Sequence, residues 1–262
     1  MIKIENVVLP SPEQWMSIIR GARNPMDSWN RIDSEYLFES YHDLSGGHIE
    51  VGPNDHKLMT SLAKGGPVHA KYRRMITVYL DITAPLYWWK EFDTYKVGTV
   101  ANSCSTMHKI HAKEFTLDDF SHEHLFGNED MLSYDERADI AKDNALAAVN
   151  VNGDWCYFTP KGYIQMTCNI LNHYRNKYLE AKTKPMKDES KRAGLMKKYW
   201  WQMIQLLPSS YNQKRTVMLS YEVLVNMYHS RKNHKLDEWR EFCKWIEGLP
   251  YSEIIIGEKE NV

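Results

Sequence analysis

The stretch MITVYLDITAPL, residues 75 to 86, decides the fold class of this chain. It is rich in β-branched and aromatic residues, and its apolar side chains fall at every second position from Ile76 to Ile82. Because successive side chains of a strand point to opposite faces, this alternation predicts a strand with one face on a sheet. Pro85 ends the strand, and YWWKEF at 87 to 92 predicts a helix directly afterwards.

The chain before this strand contains short strands and helices with clear end signals. MIKIENVVL at 1 to 9 and SGGHIEVG at 45 to 52 are typical of strands. SPEQWMSIIRGAR at 11 to 23 predicts a helix, with its first serine as N-cap and a proline at the first helical position. NDHKLMTSLAKGG at 54 to 66 predicts a second helix that its glycine pair ends.

From about residue 133 onward the apolar periodicity is helical. The expected helices are SYDERADIAKDNALAAV (133–149), TPKGYIQMTCNILNHYRNKYLEAK (159–182), SKRAGLMKKYWWQMIQLL (190–207), YNQKRTVMLSYEVLVNMYHSRK (211–232) and KLDEWREFCKWIEGL (235–249). The segment VMLSYEVLVNMY within the fourth is apolar around most of its circumference, which predicts burial. We therefore predict an α+β fold: one domain over 1–262, with a small mixed or antiparallel sheet and a long helical C-terminal half.

Composition excludes several classes of protein. The 33 Lys and Arg balance 34 Asp and Glu, for a formal charge of −1, which argues against bulk binding to nucleic acid or anionic membranes.

The N-terminus lacks the pattern of a signal peptide, and no apolar run reaches the length of a spanning helix, so we expect a cytoplasmic protein. Four scattered cysteines without C-x-x-C indicate neither a zinc knuckle nor a disulfide framework. Nine Trp and 16 Tyr favour core and interface packing over a stacking surface.

Three local patterns carry candidate chemistry, each beside a structural explanation. His122 and His124 would share one face of a strand as metal ligands, but without a matched third ligand a solvated loop is favoured and no metal site is expected. LAKGGPVHAKYRR at 62 to 74 places basic residues beside a glycine turn, which suits either a phosphate or a surface turn.

The third pattern is a polar stripe on an otherwise apolar helix, formed by Glu222, Asn226 and His229. Buried polar groups need partners, so the stripe faces a ligand, another chain or a neighbouring loop. Arg231 follows it, where its guanidinium would grip a phosphate or carboxylate, or neutralise a helix C-terminus. The motifs G-x-S-x-G, Walker A and G-x-G-x-x-G are all absent.

Taken in order, these segments resemble the flavin-dependent thymidylate synthases. That family has an N-terminal A-R, a helix ending in G-H, a strand reaching A-P, and a helix carrying Q-x-x-R-H-R-x-x-S-x-N-x-x-S-x-R. The matching order here is GAR, GGPVH, MITVYLDITAP and WKEFDTYKVGTVANSCSTM. The later segments LLPSSY, SYEVLVNMYHSR and DEWR resemble the family's L-P-x-x-x-Y, N-x-R-S-L-x-x-F-x-x-x-R and E-I-R.

The chain departs from this pattern where the family has arginines. Thr94, Tyr95 and Lys96 replace R-H-R, and Glu91 replaces the upstream glutamine. Further family arginines are replaced by Met107, Ile204 and Glu222. Each loss removes a cation with a bidentate fork, so phosphate binding is expected to weaken unless Lys96, Lys109, Arg73 or Arg74 compensates.

The resemblance implies a homotetrameric enzyme that methylates dUMP with methylene-tetrahydrofolate, NADPH and bound FAD. Mapped residue by residue, it implies flavin contacts from His69, Asn102, Ser105 and Asn226. It implies nucleotide contacts from Glu91, Arg231 and Ser105, and it assigns catalytic positions to Tyr95, Lys96 and Ser105. The region from about 112 to 160 has no counterpart in the family and is expected to be an insertion.

Two other functions fit the same residues. A flavin- or nucleotide-binding homologue with an altered substrate, or without thymidylate synthase activity, would explain the lost arginines. A structural helical assembly protein would explain the aromatic residues and the polar stripe without any ligand.

Overall fold

A four-stranded sheet contains the strand that the sequence predicts most strongly. The computed structural model describes residues 2–40, 43–127, 147–151, 154–185 and 187–257. In spatial order the strands are β1 (Lys3–Val8), β4 (Thr77–Pro85), β8 (Asn212–Ser220) and β5 (Thr99–Ser103). β1 is antiparallel to β4, and β5 is antiparallel to β8. Two further antiparallel pairs are formed by β2 (Glu35–Ser40) with β3 (Asp43–Glu50) and by β6 (Ala147–Val151) with β7 (Asp154–Phe158).

Helices account for most of the remaining described chain. They are α1 (Pro12–Arg23), α2 (Pro53–Lys64), α3 (Leu86–Phe92), α4 (Thr106–Lys109), α5 (Pro160–Thr183), α6 (Glu189–Leu206), α7 (Tyr221–Arg231), α8 (Asp237–Glu247) and α9 (Glu253–Ile256). None of those within the described ranges is long and apolar enough to cross a membrane.

The local signals of the N-terminal half are confirmed. Val78, Leu80 and Ile82 of β4 are buried, as their alternation predicts. Ser11 caps α1 by accepting a hydrogen bond from the backbone N–H of Gln14, whose side chain accepts from the N–H of Ser11 in return. These reciprocal bonds satisfy two donors that the first turn of the helix leaves unpaired.

The helix expected over 211–232 is wrong in its first half. Asn212–Ser220 is strand β8, and α7 begins only at Tyr221. Val217 and Leu219 are buried while Thr216 is exposed and Met218 is half-buried, which is the two-residue period of a strand. Ser220 then caps α7 by accepting a hydrogen bond from the N–H of Val223.

Two further helices that the sequence predicts differ from the structure in the described residues. Residues 133–146 of the helix expected over 133–149 lie outside the described residues, and its last three belong to strand β6. The helix implied for the segment after α3 ends at Phe92, and Thr99–Ser103 pairs with β8 as strand β5. Gly98 separates the two with a φ of +80°, a conformation that other residues rarely adopt. A Cβ there would also lie 2.8 Å from the Ser220 hydroxyl oxygen.

Contacts group the described residues into two compact units. The first contains Ala84–Tyr87 and the described part of Cys104–Gln213, with a core of Ile110, Phe115, Phe120, Ile164, Cys168, Leu171 and Met203. The second contains Ile2–Thr83, Trp88–Ser103 and the described chain from Lys214 onward, and it includes β1, β5 and most of β4 and β8. That the whole chain forms one domain with an insertion at about 112–160 stays a prediction.

Asp81 on β4 links the neighbouring strands of the second unit. Its carboxylate accepts hydrogen bonds from Thr216 at 2.6 Å and from Asn6 at 2.8 Å, and Lys214 lies 3.2 Å away. These three donors favour the ionised form and lower the pKa of Asp81 to about 2. The contacts therefore connect β1, β4 and β8 on one face of the sheet.

A buried ion pair fixes α1 against α2. Arg23 and Asp55 are 4% and 0% exposed, and the Arg23 Nε lies 2.5 Å from one oxygen of Asp55. The other oxygen accepts from the Asp33 and Ser34 backbone N–H groups and from the Ser34 hydroxyl. Arg23 is the arginine of the GAR match, so in this chain it has a structural role.

We expect Asp55→Ala to lower the free energy of unfolding by about 3–5 kcal/mol, because it leaves a buried guanidinium without its counter-charge. Urea unfolding followed by circular dichroism measures the change. Glu189→Ala is the matched control, since it breaks the exposed pair with Arg192 on α6 and should cost at most about 0.5 kcal/mol. Equal effects of the two substitutions would contradict this role of Asp55.

Candidate functional site

Helix α3 has one buried face and one half-exposed face. Trp88, Trp89 and Phe92 are at most 1% exposed, and the Trp88 ring packs 4.7 Å from that of Trp239 on α8. Glu91 lies on the other side of the helix and is half-buried. The aromatic packing therefore sets where the Glu91 carboxylate points, because the short helix cannot rotate without exposing its tryptophans.

One oxygen of Glu91 lies close to three donor groups from the C-terminal part of the chain. Its Oε2 accepts hydrogen bonds from Arg231 Nη1 at 2.8 Å and from Trp239 Nε1 at 2.9 Å, and His234 Nε2 lies 3.4 Å away. Trp239 is fully buried, so its indole N–H needs this partner. We call Glu91, Tyr95, Arg231, His234 and Trp239 the Glu91 cluster.

Arg231 is held on three sides within the Glu91 cluster. Its Nε donates to the Tyr95 hydroxyl at 2.9 Å, and its guanidinium lies 5.0 Å from the Trp239 ring centroid and 5.7 Å from that of Tyr95. Such contacts fix the plane of the guanidinium. Its Nη2 group has no hydrogen-bond partner within the described ranges, which leaves donors for an anion.

The structure thus brings together three of the residues that the resemblance selects: Glu91, Tyr95 and Arg231. Sequence reasoning missed His234 and Trp239. The available signals were the DEWR match, which contains Trp239, and the position of His234 three residues after Arg231. Neither signal indicated that these side chains meet Glu91, because that contact depends on how α3 and α8 pack.

Other predicted site residues stand apart from the Glu91 cluster. His69, Lys96, Asn102 and Asn226 are exposed, and their side chains make no hydrogen bond or ion pair to any part of the chain that the structure describes. Asn102 lies on β5 opposite Thr216. These four side chains are available to a ligand, and their roles stay predictions.

Ser105 belongs to the first unit, where it caps the short helix α4. Its hydroxyl oxygen accepts a hydrogen bond from the backbone N–H of His108 at 3.1 Å. The hydroxyl hydrogen stays free to donate, since a hydroxyl has one donor and two acceptor positions. The structure therefore assigns Ser105 a capping role, and its proposed catalytic, flavin and nucleotide contacts stay predictions.

The polar stripe of α7 has more than one environment. Glu222 accepts a hydrogen bond from Arg73 Nε at 2.8 Å, and Arg73 Nη1 donates to the Ile254 carbonyl at 3.2 Å. Arg73 is 4% exposed, and Glu222 balances its charge, so it attracts a phosphate less than an unpaired arginine would. His229 lines a cavity of about 220 Å³ that Lys64 and Gly66 of the glycine turn also line. The glycine turn therefore borders a cavity, and phosphate binding there stays a prediction.

The paired histidines lie in an irregular segment rather than on a strand. His122 Nδ1 lies 2.8 Å from the Phe120 carbonyl oxygen. Among the described residues, no group of three or more His, Cys, Asp or Glu side chains is placed to hold a metal ion.

We expect Glu91→Ala to lower the free energy of unfolding by about 1–3 kcal/mol, because it leaves the buried Trp239 N–H without an acceptor. Glu91→Gln keeps an acceptor oxygen and is expected to cost less. Urea unfolding of the two variants beside the parent chain measures the difference. If Glu91→Ala is no more costly than Glu91→Gln, the cluster does not stabilise this unit.

No protein-family model matches the chain, and no curated protein matches it. Thymidylate synthase X (ThyX) from Helicobacter pylori, solved with FAD and dUMP, matches with a TM-score of 0.52 and 14% identity, over 98% of each chain. A second structure of flavin-dependent thymidylate synthase ThyX from Helicobacter pylori, complexed with FAD and dUMP, matches with a TM-score of 0.51 and 16% identity. That match covers 98% of this chain and 97% of the other. Likeness at such low identity concerns the fold and not the activity. The chain has the α+β fold of the flavin-dependent thymidylate synthases.

Proposed function

We propose that this protein is an FAD-dependent enzyme of the thymidylate synthase type, which methylates dUMP with methylene-tetrahydrofolate and NADPH. The observation that carries the proposal is the Glu91 cluster, where three residues selected by the family pattern meet within hydrogen-bond distance. Glu91 and Arg231 are 140 positions apart in the sequence, so the fold and not local spacing joins them. The likeness to two structures solved with FAD and dUMP supports the same ligands here.

The nucleotide would bind at the Glu91 cluster. The free Nη2 group of Arg231 would donate to its phosphate, and the Tyr95 hydroxyl, which accepts from Arg231, keeps a hydrogen to donate. Glu91 holds the guanidinium in place, but its negative charge also opposes a phosphate. Lys96 is exposed and would supply part of the positive charge that the missing family arginines do not.

In the proposed enzyme the exposed side chains of His69, Asn102 and Asn226 contact the flavin. Their amide and imidazole groups carry donors and acceptors that no described part of the chain uses, and the edge of an isoalloxazine ring needs both kinds. Bound FAD would supply the hydride chemistry, and the chain would bind and orient the reactants. Ser105 would donate its hydroxyl hydrogen to the flavin or the nucleotide. In the proposed enzyme four copies of the chain form a homotetramer.

One observation favours a second candidate function, a flavin- or nucleotide-binding homologue with an altered substrate. The carboxylate of Glu91 already occupies one edge of Arg231 and balances its charge. A nucleoside or another ligand with less negative charge than a monophosphate would meet less repulsion at this position. NADPH oxidation in the presence of FAD without release of tritium from [5-³H]dUMP would favour this second candidate.

We expect the purified protein to retain FAD or to take it up, with the visible absorption bands of a flavin. His69→Ala should weaken FAD binding by about threefold to tenfold, because it removes one hydrogen-bonding group. The matched control is His173→Ala, an exposed histidine on α5. A protein that stays colourless with added FAD would overturn both flavin functions, and equal effects of the two variants would remove His69 from the site.

We expect Glu91→Gln to strengthen dUMP binding severalfold, by about 1 kcal/mol, because it removes a negative charge beside the phosphate while keeping a hydrogen-bond acceptor. Isothermal titration calorimetry measures the change. Asp93→Asn is the matched control, since Asp93 lies two positions away and pairs with Arg215 at 2.7 Å. If both substitutions change dUMP affinity equally, or neither does, the phosphate does not bind at Arg231.

A further inference from the structure

The cavity beside the glycine turn is lined by residues that the flavin and nucleotide proposals do not use. It lies between α2, α7 and α9 of the second unit, and its volume is about 220 Å³. One water molecule needs roughly 15 Å³ of such space, so the cavity has room for a small organic molecule.

Most of the cavity wall is hydrocarbon. The side chains that contribute it carry no polar atom: Ala63, Pro67, Val225, Ile254, Ile255 and Ile256. Apolar surface of this kind binds the hydrocarbon part of a ligand, because contact removes both surfaces from water. A wholly polar ion would leave this part of the wall without a favourable contact.

A buried arginine presents one open nitrogen to the cavity. Two nitrogens of Arg73 are fixed, since Nε donates to Glu222 at 2.8 Å and Nη1 donates to the Ile254 carbonyl at 3.2 Å. The third, Nη2, makes no hydrogen bond to any residue that the structure describes. It is also not among the enclosed side-chain atoms of those residues that lack a partner, so it keeps surface that a ligand in the cavity can reach. A guanidinium held in this way is pre-formed to donate to an oxygen anion.

The charges around the cavity favour a single negative charge over two. Lys64 and Arg73 are basic, whereas Glu253 in the wall and Glu222, the partner of Arg73, are acidic. A dianion therefore meets little net attraction there. A carboxylate satisfies the open nitrogen of Arg73 with only one negative charge.

We propose that this cavity binds a short aliphatic carboxylate, with its carboxylate at Arg73 Nη2 and its hydrocarbon chain against the apolar residues of α7 and α9. The apolar wall selects the chain, and the open nitrogen of a buried arginine selects the anion. The proposal goes beyond the methylation of dUMP and does not depend on it, because no residue assigned above to flavin or nucleotide lines the cavity.

Calorimetric titration of the full-length protein with acetate, butanoate and hexanoate tests the class of ligand. We expect hexanoate to bind most tightly, with each added methylene strengthening binding by about twofold to fourfold through burial of apolar surface. Hexanamide has the same chain without the charge and should bind about fivefold more weakly. Absence of hexanoate binding, equal binding of hexanamide, or tighter binding of inorganic phosphate would each overturn the proposal.

Two variants on α2 test the place of binding. Ala63→Leu extends a side chain into the cavity and should weaken hexanoate binding by about tenfold or more, because it fills the space of the hydrocarbon chain. Ser61→Leu is the matched control, since Ser61 is exposed on the same helix and does not line the cavity, and it should change affinity by no more than about twofold. A thermal melt confirms that each variant folds. Equal effects of the two substitutions would overturn the assignment of the ligand to this cavity.

Arg73→Lys tests the contact with the anion. The substitution keeps a positive charge beside Glu222 but removes the open guanidinium nitrogen, so hexanoate should bind about tenfold more weakly while hexanamide changes less. Equal losses for the two ligands would contradict the ion contact. The Ala63 and Ser61 pair tests the cavity even if this variant does not fold.

Discussion

The hydrogen bonds to the Glu91 carboxylate are the constraint on which the second unit and its candidate site depend. A single oxygen satisfies the buried indole N–H of Trp239 on α8 and the guanidinium of Arg231 at the end of α7. Removing this acceptor would leave a polar group unpaired inside an aromatic core, so its position is under structural as well as functional constraint. The same carboxylate limits how much positive charge Arg231 presents to a ligand. Stability and ligand preference are therefore linked at one residue.

Acids also neutralise two buried arginines of the second unit. Asp55 pairs with Arg23, and Glu222 pairs with Arg73. Arg23 lies in the GAR match and Arg73 lies between the GGPVH and MITVYLDITAP matches, and the charges of both are balanced inside the chain. A phosphate bound by this fold would therefore depend on Arg231 and on exposed cations such as Lys96. Because these arginines are neutralised inside the chain, we expect its site to prefer a ligand of different charge from the ligands of other proteins with this fold.

Local signals predicted the fold class and much of the N-terminal half, because caps, glycine turns and alternation are encoded by neighbouring residues. They failed at β8, where an apolar run looked helical although its burial alternates, and strand pairing with β5 decided the outcome. The family pattern selected Glu91, Tyr95 and Arg231 individually. It did not predict the ion pair between Glu91 and Arg231, since that contact depends on packing between segments 140 positions apart.

A crystal structure of the protein with FAD and dUMP tests the central claim most directly, through the distance from the dUMP phosphate to Arg231. A nucleotide bound at the Glu91 cluster predicts a phosphate oxygen within about 3.2 Å of the free Nη2 group, with Tyr95 beside it. A phosphate bound elsewhere, with the pair of Glu91 and Arg231 unchanged and without ligand contact, would contradict the claim.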